Sequence, residues 1–111
     1  MEYLNAGSTI TSSYGTVLSA TTGTKILVKT IHATNIFSGD TSLYLRWHDN
    51  SDSDNSYHLS YGVVVPQISS FQALDGTFVL DTGDYIQAST ESDADSIDLT
   101  ISYLEITTSE G

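Results

Sequence analysis

Leu43, Leu45 and Trp47 alternate with Tyr44, Arg46 and His48, and Ile97, Leu99 and Ile101 alternate with Asp98, Thr100 and Ser102. A period of two sends successive side chains to opposite faces of an extended chain, so each run predicts a half-buried strand. The same reasoning predicts strands over residues 8–12, 16–20, 25–35, 56–61, 68–74, 77–80 and 85–90, all rich in β-branched and aromatic residues. A helical period occurs almost nowhere. Turn-forming residues separate the runs at 22–23, 38–40, 49–55, 75–76, 82–84 and 91–95.

Turns recurring every ten residues or so (roughly) are the signature of two packed antiparallel sheets. The fold class expected is all-β: an antiparallel β-sandwich, jelly-roll-like, although an immunoglobulin-like strand order gives a similar alternation. Within 25–35 the apolar face changes between Val28 and Ile31, which predicts a bulge near Lys29 and Thr30. Pro66 cannot donate to a ladder and is expected to close a strand or lie on an edge. With 111 residues the chain has room for one core, so residues 1–111 are read as a single domain. Residues 1–6 and 107–111 fall outside the main alternation and read as short arms or frayed ends.

Charge narrows the partners. Lys25, Lys29 and Arg46 stand against fourteen Asp and Glu, for a net charge of -11. Phosphate binding needs clustered cations, so nucleic acid is not an expected partner, and an anionic membrane surface is disfavoured by the same field. Solubility, tolerance of salt and divalent cations, and a basic protein partner are favoured. Cysteine is absent, so the core alone must hold the fold. The longest apolar stretch covers only residues 63–66 and no basic segment precedes an apolar run, so a soluble protein without a secretory signal is expected.

Catalytic constellations are hard to find. His32, His48 and His58 fall on or beside separate strands, without the close spacing of a helical zinc site. His48 and His58 would form a cross-strand pair if they met across the hairpin closed by 49–55. Nucleophile elbows, phosphate-cradling glycine loops and catalytic cysteines are missing, and the carboxylates cluster in loops where solvent keeps them ionised. An enzyme is not expected. Asp49, Asp52 and Asp54 form a candidate Ca2+ site of hard oxygen ligands, as do Glu91, Asp93 and Asp95, although neither loop has the glycine and terminal glutamate of an EF-hand.

Aromatic residues supply the other candidate surface. Tyr44, Tyr57, Tyr61, Tyr85 and Trp47 lie on predicted strands, and some must face away from the core. Trp47 follows Leu43 and Leu45 on one face and is expected in the core; Tyr44 and Arg46 share the other face and are the better contact candidates. Such rings stack on sugars or anchor protein interfaces.

Three segments in order carry a resemblance: TKILVKTIHATN followed by a turn and SLYLRW, then LDGTFVLDTGDYI, and finally SIDLTISYLEI. The chain resembles a family of small β-sandwich virion proteins of tailed bacteriophages, in which a strand similar to KTxIVKSIHVTN leads into a hairpin, a VLxxGDxI corner follows, and the chain closes with VTISYLEI. Here the corner residues are Asp81, Gly83 and Asp84, read as structural: Gly83 permits positive φ and the aspartates accept backbone hydrogen bonds. Thr21-Thr22-Gly23 replaces the usual PAG lead-in, and the 49–55 loop is unusually acidic. The resemblance implies a non-enzymatic virion protein, first a capsid decoration or cement protein bound to the major capsid protein or other virion proteins, and homo-oligomeric, trimers included. Tyr3, Leu4 and the C-terminal segment are then interface candidates. The alternative is a carbohydrate- or receptor-binding module on the tail or neck, with Tyr44, Tyr57 and Tyr61 as stacking platforms.

Overall fold

The computed structural model describes residues 2–53, 55–74, 77–91 and 96–107. Its strands are β1 (Glu2–Ile10), β2 (Gly15–Ser19), β3 (Thr24–Asn35), β4 (Thr41–Asp49), β5 (Asn55–Val65), β6 (Ser70–Gln72), β7 (Phe78–Leu80), β8 (Tyr85–Thr90) and β9 (Ile97–Thr107). They form two antiparallel sheets, one ordered β1-β9-β3-β6 with β7 also on β3, the other ordered β2-β8-β4-β5. β6 pairs with β3 at His32–Thr34 and β7 pairs with it at Ile26–Val28, so the two act as one interrupted strand along a single edge.

The pairings are nested: β4 with β5, β3 with β6 and β7, β2 with β8, and β1 with β9. A long hairpin closed between β4 and β5 and wrapped into two layers gives this order. It is the jelly-roll arrangement, which decides between the two strand orders left open by alternation.

Local chemistry explains the details. The expected bulge is present as a register shift between Val28 and Thr30 against β9, and it keeps Ile26 and Val28 on the core face together with Ile31 and Ala33. The core between the sheets comprises Ile10, Leu18, Ile26, Val28, Ile31, Leu43, Leu45, Val65, Leu80, Ile86, Ile97, Leu99 and Ile101, all almost fully excluded from solvent. Burial of these branched side chains is the main favourable term, at roughly 1.5–3 kcal/mol each. Asn35 holds one end of the sandwich: its amide nitrogen donates to Val65 O at 2.7 Å and Gly39 O at 3.0 Å, and its Oδ1 accepts from Phe37 N at 2.7 Å.

Three expectations are corrected. Residues 2–6 are not an arm: Glu2 to Ala6 pair in unbroken register with Glu105 to Ile101, because β9 is long enough to template the whole of β1. At the other end Thr107 pairs with Thr24, and 108–111 lie outside the described residues. The strand expected over 56–61 runs on to Val65 through two register shifts that absorb Leu59 and Gly62. The strand expected over 68–74 is confined to Ser70–Gln72, since Pro66 to Ser69 form a turn closed by Ser69 Oγ donating to Pro66 O at 2.6 Å.

Candidate functional site

The outer face of the β2-β8-β4-β5 sheet carries rings and polar groups in register. In one row Thr16, Gln87, Arg46 and His58 lie side by side across the four strands. The neighbouring rows are Ser89, Tyr44 and Tyr61 on one side and Ser19, Tyr85, His48 and Ser56 on the other. Directly opposed residues share a face, so the grid follows from pairing alone.

Contacts order this face. Arg46 donates through Nε and Nη2 to Gln87 Oε1 at 3.0 and 2.8 Å, and His48 Nε2 lies 2.8 Å from the same oxygen. The Arg46 guanidinium sits 3.7 Å from the ring centroid of Tyr14, a cation–π contact reaching in from the β1–β2 turn. His48 stacks on Tyr85 at 4.3 Å, while Tyr44 and Tyr61 meet edge to face at 5.5 Å and His58 meets Tyr61 at 4.7 Å. Gly62 forms the bulge beside this packing, and its φ of 70° is what calls for glycine, since a Cβ there would meet the Tyr44 hydroxyl at an ordinary contact distance of 3.5 Å.

The structure thus brings the sequence-predicted Tyr44, Arg46 and Tyr61 together. Tyr57 does not join them: it lies opposite Trp47 and packs on that ring at 5.6 Å. The register shift at Leu59 is the cause, because one extra residue between Tyr57 and Tyr61 puts them on opposite faces. Trp47 lies on the core side as expected, with Phe78 edge-on at 5.3 Å. His48 and His58 are not a cross-strand pair; His48 faces Ser56 and His58 faces Arg46. Tyr14 and Gln87 carry no sequence signal of their own, and only the pairing of β8 with β4 reveals them.

The other sheet has a different outer face. Tyr3, Leu104, Leu27 and Val79 occupy one register row across β1, β9, β3 and β7. All four are apolar on the side away from the core. Leu104 at the centre is 8% exposed, while Tyr3 and Val79 at the ends are 75% and 51% exposed. Polar groups border the row: Ser102 Oγ donates to Asn5 Oδ1 at 2.6 Å on one side, and Lys25 pairs with Asp81 at 3.3 Å on the other. Leu4 is half-buried on the inward side of β1, opposite Tyr103, so of the two N-terminal interface candidates only Tyr3 faces outward.

Asp81, Gly83 and Asp84 divide their roles. Buried Asp84 accepts from Trp47 Nε1 at 3.2 Å, Asp81 N at 3.0 Å and Asn50 N at 2.9 Å, tying β4, the β4–β5 turn and its own corner together. Gly83 N donates to Ala20 O at 2.7 Å, with φ of 91°. Asp81 turns outward to Lys25, and both side chains are more than half exposed. Screened by solvent, that pair contributes little: Lys25→Ala is expected to change the unfolding free energy by less than about 0.5 kcal/mol in urea titrations.

Asp49 caps the short 3-10 turn Asn50–Asp52, accepting from Ser51 N at 3.2 Å and Ser51 Oγ at 2.8 Å. The Asp52 side chain and Asp54, its partners in the expected Ca2+ site, lie outside the described residues, as do Asp93 and Asp95. Glu91 accepts from Ser42 Oγ at 2.8 Å. Among the described residues no three His, Asp or Glu side chains come together in a way that could hold a metal ion, and no helix is long and apolar enough to cross a membrane. A shallow concavity of about 210 Å³ opens between β1 and β2, lined by uncharged residues such as Ser8, Ile10, Thr11 and Val17. Comparison with protein-family models, with curated proteins and with solved structures finds no match for this chain.

Proposed function

We propose that this protein is a non-enzymatic structural component of a tailed-bacteriophage virion, added to the capsid surface as a decoration or cement protein. The observation that carries the reading is the outward apolar row Tyr3, Leu104, Leu27 and Val79 on an otherwise strongly acidic molecule. An apolar strip bounded by polar groups is the form a protein contact takes. It adjoins edge strand β1, whose free backbone side can pair with a neighbouring strand. One such strip falls short of the ~1,200–2,000 Å² of a stable interface. Several copies acting together, as a homo-oligomer bridging major capsid protein subunits, would supply the missing affinity through multivalency.

Light scattering with and without calcium, followed by cosedimentation with empty capsids of the phage that encodes the protein, tests the reading. A stable oligomer that cosediments is expected, and joint Tyr3→Glu and Val79→Glu substitution is expected to reduce capsid retention about tenfold or more, because two charges would be buried at the contact. A monomer that ignores capsids would sink the cement role. A second reading, a carbohydrate- or receptor-binding module of the tail or neck, is favoured by the gathering of Tyr44, Tyr61 and Arg46 on one exposed sheet face.

A further inference from the structure

We propose that the outer face of the β2-β8-β4-β5 sheet binds a saccharide bearing a carboxylate, with Arg46 receiving the carboxylate and Tyr61 stacking against the sugar ring. The inference names the ligand class of the second reading above and does not depend on the cement role.

Arg46 is the first reason. The sequence holds fourteen acidic residues, yet among the described residues this guanidinium makes no ion pair. It is held by neutral groups instead: Gln87 Oε1 takes Nε and one Nη2 hydrogen, and Tyr14 covers one face. Those contacts fix the plane of the fork and leave the Nη1 and outer Nη2 hydrogens as a preordered pair of donors. Their geometry matches the two oxygens of a carboxylate.

Tyr61 is the second. The residue is 73% exposed but its ring is not loose, because Tyr44 and His58 both brace it edge-on. An immobilised, solvent-facing ring beside polar groups is what the apolar face of a pyranose stacks on, at small entropic cost. In register, Tyr61 pairs with Tyr44, which precedes Arg46 by two residues on the same face of β4, so ring and cation are neighbours across the width of one sugar. Partners for sugar hydroxyls line the exposed part of the grid in Ser56 and His58.

Net charge sets the conditions. The overall charge of -11 repels an anionic ligand at long range. Salt near 0.15 M, where the screening length is about 8 Å, suppresses that repulsion while a contact pair at Arg46 survives.

The probe is an oligogalacturonate, with its methyl ester as the neutral twin of the same ring and linkage, titrated into the 15N-labelled protein at that salt. Expected are shifts centred on Tyr14, Tyr44, Arg46, Tyr61 and Gln87, affinity lowered about tenfold or more by Arg46→Gln and by Tyr61→Ala, and little binding of the methyl ester. Mapping on the unaltered protein keeps the test independent of whether a variant folds. Absence of shifts at millimolar oligogalacturonate, shifts located elsewhere, affinity unchanged in Arg46→Gln, or equal binding of the methyl ester would each overturn the proposal. Saccharide binding without capsid cosedimentation would leave this inference standing and remove the cement role; the reverse result would do the opposite.

Discussion

Asp84→Ala is expected to lower the unfolding free energy by about 3–5 kcal/mol, a large share of the stability of a domain this size. The Asp84 carboxylate is 3% exposed and receives three donors from separate parts of the chain: the Trp47 indole, Asn50 N and Asp81 N. Alanine leaves all three part-buried donors without their acceptor, and each so orphaned costs up to roughly 1–3 kcal/mol, to the extent that water does not replace the carboxylate. Asp84→Asn is expected to cost less, about 2–3 kcal/mol, since one oxygen remains while the amide group opposes a donor. Urea unfolding monitored by circular dichroism measures both, and it remains usable when the single tryptophan is replaced. A double-mutant cycle with Trp47→Phe should return a coupling of about 1 kcal/mol or more. A loss below about 1 kcal/mol for Asp84→Ala would mean that water reaches the three donors and that Asp84 does not hold the corner.

Gly83→Ala is expected to cost about 2–3 kcal/mol for two separable reasons. Its φ of 91° lies in the region that side chains avoid, and a Cβ would stand 2.6 Å from Asn50 Nδ2 and 2.8 Å from Asn50 Cγ. Asn50→Ala in the same chain removes the Nδ2 and Cγ contacts, leaving the Cβ of residue 50 at 3.1 Å and the unfavourable φ, so the double variant should recover up to about half of the loss. If Asn50→Ala restores nothing, the cost is all backbone; if it restores everything, the corner can flatten its φ. Both substitutions act at one end of the sandwich, remote in sequence from the end of β3 that Asn35 secures.

Much of this architecture was legible from alternation because β3, β4, β8 and β9 each bury one face continuously. Even the irregularity at Lys29 showed, since a bulge must shift the apolar phase of a strand whose ends both face the core. Failures occurred where a residue's reason for being apolar lay elsewhere. Tyr3 and Leu4 are adjacent and both apolar, which breaks the pattern of β1, because Tyr3 belongs to the outward row and Leu4 to the inward side. In β5 the shifts at Leu59 and Gly62 reset the phase twice within a few residues, hiding the strand's length and separating Tyr57 from Tyr61. Of the aromatic face, Tyr44 and Arg46 could be read from one strand. Gln87 and Tyr14 could not, because their meaning arises only from neighbours on β4 that are distant in the chain.

Nested pairing also dictates the order in which this chain can acquire structure. The β4–β5 hairpin closes a short loop and can form early, whereas among the described residues β1 pairs with β9, from Ile10 opposite Ile97 to Glu2 opposite Glu105. Loop-closure entropy therefore rises with every layer added, and folding is expected in the millisecond-to-second range typical of non-local β topologies (about 10⁰–10³ s⁻¹). Until β9 has been synthesised, β1 remains an unpaired strand carrying an exposed tyrosine. The acidic excess then has a kinetic role as well, because eleven of the fourteen carboxylates precede β9 and keep half-made chains apart during the interval when their edges are open.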